Sequence, residues 1–88
     1  MAERKLTVMN ESGLHLRPAQ QLCTIAMGYE CRVMIRFRNR EFNAKSLLGV
    51  LSACVSQGDE ITLVCTGRDE EAALKHLADF IMGSEHSC

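Results

Sequence analysis

The 88-residue chain has no tryptophan, a single proline and a single tyrosine. It has no C-x-x-C pair, no long apolar run, no internal repeat and no large excess of either charge. Each absence removes a class of protein. A helix needs about 20 mostly apolar residues to span a bilayer, so membrane insertion is not expected. The opening MAERKLTVMN lacks the apolar core of a secretory leader, which points to the cytoplasm. Five cysteines, an odd number without metal-like spacing, speak against a disulfide framework. Cys23, Cys54 and Cys65 stand among apolar neighbours and are expected to pack as small buried hydrophobes. His86 and Cys88 supply too few ligands for zinc, and His76 belongs to a helical pattern, so no metal or other cofactor is expected. A net charge of −1 gives no broad pull on nucleic acid, although Arg32, Arg36, Arg38 and Arg40 crowd one short segment. That segment reads either as a solvated strand face and turn or as a local docking patch.

What is present is the balance of a soluble globular chain, 47% hydrophobic and 24% charged, at a length suited to one domain over residues 1–88. Residues 5–9 alternate as a strand with Leu6 and Val8 inward. Helical signals follow from Pro18, whose missing N–H is harmless in a first turn. Ala19, Leu22, Cys23, Ala26 and Met27 then form an apolar stripe that Gly28 stops. Residues 31–37 alternate again, with Cys31, Val33, Ile35 and Phe37 on one side. Arg38 to Arg40 reads as a hairpin turn, with Asn39 left-handed, into a short strand at 41–43. Ser46 is an N-cap candidate for a helix over LLGVLSACV, without a capping box because Gly49 stands at its third position. A turn at Gln57-Gly58-Asp59 leads to a strand with Ile61, Leu63 and Cys65 inward. The final helix carries Ala73, Leu77, Phe80 and Ile81, opens on Asp69-Glu70-Glu71 to suit its dipole and stops at Gly83, before a frayed SEHSC tail. This order predicts an α+β two-layer sandwich, an antiparallel sheet covered on one face by helices.

The stretch SGLHLRPA places His15 where a helix begins. Unpaired N–H groups and the helix dipole favour an anion there, and Arg17 can add paired hydrogen bonds. A neutral imidazole is also a nucleophile, so the arrangement can accept a phosphoryl group as well as bind one. The plainer alternative is a histidine that only caps a helix.

GLHLRPA from Gly13, with NAKSLLGVLSACVSQGDEITLVCTG from Asn43, resembles the HPr family of histidine phosphocarriers of the bacterial phosphoenolpyruvate:sugar phosphotransferase system. The resemblance covers nearly the whole chain. It implies an open-faced sandwich, with a four-stranded antiparallel sheet in order 1-4-2-3 and three helices. It implies that His15 takes a phosphoryl group on Nδ1 from enzyme I and gives it to enzyme IIA domains, with Arg17 beside it. It implies that Ser46 is phosphorylated by an ATP-dependent HPr kinase/phosphorylase, the product acting with a catabolite control protein. Leu16, Leu47, Leu48 and Leu51 become candidate docking residues. Leu16 departs from the small or hydroxyl residue usual there, and Arg40 from a common glycine. The alternative is a mainly regulatory paralogue, acting through phosphorylated Ser46 or in a nitrogen-related circuit. A nucleic-acid-binding sheet is a poorer match, because Met34 rather than an aromatic lies between the arginines.

Overall fold

The computed structural model describes residues 1–11 and 13–83. The expected tail, with His86 and Cys88, lies outside the described residues, as does Ser12. The elements in chain order are β1 (Ala2–Thr7), α1 (Leu16–Met27), β2 (Arg32–Phe37), β3 (Arg40–Asn43), α2 (Leu47–Ala53), β4 (Glu60–Thr66) and α3 (Glu70–Ile81). The strands form one antiparallel sheet in the order β1-β4-β2-β3, as the resemblance implied. The fold is an α+β open-faced sandwich.

Alternation decides which face is covered. Val33, Ile35 and Phe37 of β2 and Ile61, Leu63 and Cys65 of β4 turn inward and are buried. They meet Ala19, Leu22 and Ala26 of α1 and Ala73, Leu77, Ala78 and Ile81 of α3 in one core. Each fully buried leucine or isoleucine contributes roughly 1.5–3 kcal/mol, while the alanines let the helices approach the sheet closely. Met27, at the far end of the expected stripe, is instead exposed, and Cys23 is half-buried. On the open face the register sets Lys5, Thr62, Arg36 and Glu41 in one row across all four strands. Val64 is buried even on this face, because β4 is central and Glu3 and Met34 flank it on its neighbours.

Two places differ from the sequence pattern, the extent of β1 and the end of α2. β1 pairs over Ala2–Thr7 rather than 5–9. Val8 remains buried but bonds to the turn before β4, its N–H donating to the Asp59 carbonyl at 2.9 Å, and the Met9 N–H turns to the Ile81 carbonyl at 3.0 Å. α1 starts at Leu16 just after His15, with Pro18 in its first turn, as the stretch around His15 predicted. Cys54 is exposed rather than packed inside: it is the left-handed C-cap of α2, at φ 54°.

Asp69 also does more than face a helix dipole. Its carboxylate accepts the Glu30 N–H at 2.8 Å and the Cys31 N–H at 2.9 Å, tying the entry of β2 to the start of α3. Those bonds, the Glu30 one foremost, hold its carboxyl below the usual range. Glu70 takes the local role, accepting the Gly67 N–H at 2.9 Å and pairing with the N-terminal ammonium at 3.0 Å.

Candidate functional site

The loop before α1 is held from both sides. Gly13 has φ +63°, and a Cβ there would lie 2.4 Å from the Val55 carbonyl oxygen and 2.6 Å from the Ser56 Cα. Only glycine combines that backbone with that approach. The Leu14 N–H then donates to the Val55 carbonyl at 2.9 Å, and the Leu14 side chain is buried. On the helical side the Ala19 N–H donates to the His15 carbonyl at 2.8 Å. His15 is thus the N-cap of α1, in extended conformation at φ −78°, ψ −167°.

Its ring is not spent on the helix. His15 makes no side-chain capping bond and is exposed. The N–H groups of Leu16 and Arg17 have no acceptor among the described residues, and Pro18 has none to offer. The first turn of α1 contains no acidic side chain that would compete for an anion. An imidazole, two open amide donors and the exposed Arg17 guanidinium are therefore gathered at the positive end of a helix.

Ser46 caps α2 in the conventional way. It is extended at φ −109°, ψ 116°, and its Oγ accepts the Gly49 N–H at 3.1 Å. Its own N–H donates to the Asn43 carbonyl at 3.1 Å and its carbonyl accepts the Val50 N–H at 3.0 Å. The absence of a capping box agrees with the expected glycine at 49.

Since α1 packs against α2, the two caps belong to the same helical layer. The four candidate leucines divide. Leu16 and Leu48 project into solvent, 57% and 79% exposed, whereas Leu47 and Leu51 are partly buried against the core. The exposed apolar side chains near the two helix starts are thus Leu16 and Leu48, while the other pair packs against the core. His76 is engaged elsewhere, its Nδ1 2.8 Å from the Tyr29 hydroxyl, with the two rings edge to face. Among the described residues no three His, Cys, Asp or Glu side chains gather as a metal site.

Sequence reasoning missed the two hydrogen bonds that Asp69 accepts from Glu30 and Cys31, just before β2. It also missed Asn10, whose carbonyl accepts the Gly13 N–H at 2.9 Å and so shapes the histidine loop. An asparagine three residues before a glycine is a turn signal that could have found it.

The family model described as PTS HPr component phosphorylation site matches residues 2–82. The HPr-like protein Crh of Bacillus subtilis (strain 168) is 36% identical over 81 residues, 92% of this chain and 95% of that protein. Phosphocarrier protein HPr of Lysinibacillus sphaericus is 35% identical over 81 residues, 92% of each chain. The crystal structure of HPr-C-His from Thermoanaerobacter tengcongensis superposes with a TM-score of 0.90 at 37% identity, covering 98% of this chain and all of that one.

Proposed function

The chain belongs to the HPr family, and we propose that it works as a single-domain phosphocarrier in the cytoplasm, accepting a phosphoryl group on His15 from phosphorylated enzyme I and passing it to enzyme IIA domains. The observation that carries this reading is an exposed imidazole at a helix N-cap that it does not itself cap, next to two amide donors open among the described residues. In the transfer a neutral ring nitrogen of His15, Nδ1 in the family, forms the new N–P bond as the donor's bond to phosphorus breaks. The donor leaves with that bonding pair. Transfer to enzyme IIA is the same exchange in the other direction. The Leu16 and Arg17 N–H groups and the Arg17 guanidinium offset the charge of the held phosphoryl group. Leu16 and Leu48 offer apolar surface to each partner, with Leu47 and Leu51 behind them.

The test is intact-protein mass spectrometry after incubation with enzyme I, phosphoenolpyruvate and magnesium. An acid-labile gain of one phosphoryl group, absent in His15→Ala, is expected. No gain with a competent enzyme I from the same organism would overturn the reading.

A second role is supported by Ser46. Its hydroxyl sits partly exposed at a helix start beside exposed Leu48, and one relative is the HPr-like protein Crh. Phosphorylation by an HPr kinase/phosphorylase would add roughly −1.5 to −2 charges there. The helix start tolerates that charge, so the effect falls on partners: weaker docking for the phosphotransfer proteins, and a new contact for a catabolite control protein. ATP-dependent labelling that survives His15→Ala and disappears in Ser46→Ala would separate this role from the first.

A further inference from the structure

On the helix side of the sheet, the β2–β3 hairpin ends beside the last turn of α2. Alternation places Arg40 on the same face of β3 as Phe42, and the register sets it opposite Phe37. The two rings close this edge of the core, 7% and 8% exposed. Arg38 lies over the Phe37 ring at 4.9 Å and Arg40 over the Phe42 ring at 5.3 Å. Between hairpin and helix is a hollow of about 240 Å³, lined by these four residues with Ser52 and Cys54 of the α2 end. No carboxylate of the described residues lines it, because Glu41 projects from the opposite face and pairs with Arg36. Neither Arg38 nor Arg40 donates a side-chain hydrogen bond or ion-pairs among the described residues. A helix end favours cations but carries only about half a negative charge, so two arginines leave a surplus of roughly one and a half. The turn also holds Arg38 in left-handed backbone at φ 53°, which costs a residue other than glycine about 1–2 kcal/mol.

We propose that this hollow binds a small phosphate monoester. Charge selects the anion: two guanidinium groups match a compact dianion, and their planar forks of N–H donors suit phosphoryl oxygens. The rings beneath hold both arginines in place, so little side-chain freedom is lost on binding. Ser52 already donates its hydroxyl to the Gly49 carbonyl at 2.8 Å, which leaves the arginines as the donors. Size selects the ester, since the hollow exceeds a bare phosphate ion and leaves room for a small organic body against the α2 end. The site uses none of the residues that carry the phosphotransfer reading, and it stands at the opposite end of α2 from Ser46. Its occupancy therefore requires no phosphoryl group on His15 or Ser46. Cys54 leads directly to the Val55 carbonyl that holds Leu14, so the hollow borders the segment that supports the histidine loop.

The probe is glycerol 3-phosphate, a dianion at about pH 8, titrated into ¹⁵N-labelled protein at low salt. Amide shifts are expected at residues 37–42 and 52–54. They should persist in His15→Ala and fade as salt exceeds about 0.15 M. Arg38→Gln/Arg40→Gln should weaken binding at least roughly fivefold. Ser52→Asp leaves the hairpin untouched, brings a carboxylate into the hollow and should weaken binding by a similar factor, which keeps the test valid if the double variant folds poorly. Shifts centred on residues 15–17 and lost in His15→Ala would overturn the proposal by returning the anion to the start of α1. Unchanged affinity in both variants would overturn it too. So would equal affinity for inorganic phosphate, which has no organic body, or for succinate, whose two charges lie apart.

Discussion

His15 and Ser46 occupy the same position in two neighbouring helices and use it in opposite ways. Ser46 turns its Oγ back onto the Gly49 N–H and satisfies a donor of α2. His15 caps α1 with its backbone alone, leaving its ring exposed and the Leu16 and Arg17 N–H groups open among the described residues. A helix start can spend its polar side chain on stability or leave it uncommitted, and this chain does one at each of these helices. Asp69, at the cap of α3, takes a third course by bonding to the Glu30 and Cys31 N–H groups at the start of β2.

The strongest way to break this contrast is at the support of the histidine loop. Gly13→Ala forces a Cβ to within 2.4 Å of the Val55 carbonyl at positive φ, and should cost about 2–4 kcal/mol in urea unfolding. Removing one charged donor tests the chemical side alone. Arg17→Gln should slow phosphoryl labelling by enzyme I about tenfold while leaving the urea midpoint in place, since the side chain is exposed. Stability measurements then sharpen the comparison itself: Ser46→Ala should cost about 1 kcal/mol. His15→Ala should stay within about 0.5 kcal/mol, and equal losses in the two would show that the histidine also caps its helix. The smallest effect concerns pH. The folded pKa of Asp69 is depressed by its backbone bonds, so its contribution is fully present above the unfolded value of about 3.9 and drains as pH falls through the lower folded value. Asp69→Ala should therefore unfold more readily at neutral pH and show a flatter loss of stability below about pH 4.

Alternating strands and the serine cap were legible because each depends on neighbours in sequence. The inward Val33 and Ile35, the inward Ile61 and Leu63, left-handed Asn39 and capping Ser46 all appear as read. Where the reading slipped, the controlling contact was distant. The extent of β1 follows from pairing with β4, and Val8 keeps its inward position while its N–H goes to Asp59. The helix start at His15 was legible from the stretch around it, whereas exposed Leu16 fits no apolar stripe although it occupies the first turn of α1. Cys54 looks internal within LSACV, but the chain reverses there in left-handed backbone and turns it outward. Asp69 was assigned to its own helix because its role as acceptor, for backbone N–H groups 38 and 39 positions away, leaves no trace in local spacing. The place of His15 at a helix start was legible; the uncommitted ring was not, since spacing cannot show where an imidazole points.

The anchoring of His15 through the Leu14 N–H on one side and its own carbonyl on the other has a consequence for traffic. A single acceptor ring on an anchored backbone, in the proposed role, cannot be held by donor and recipient together. In the proposed role each delivery must wait for the previous complex to part. With association at roughly 10⁵–10⁷ M⁻¹s⁻¹, a micromolar complex separates at roughly 0.1–10 s⁻¹. A tighter grip through Leu16 would lengthen each stay and reduce throughput, so weak, brief encounters are what such a shuttle requires.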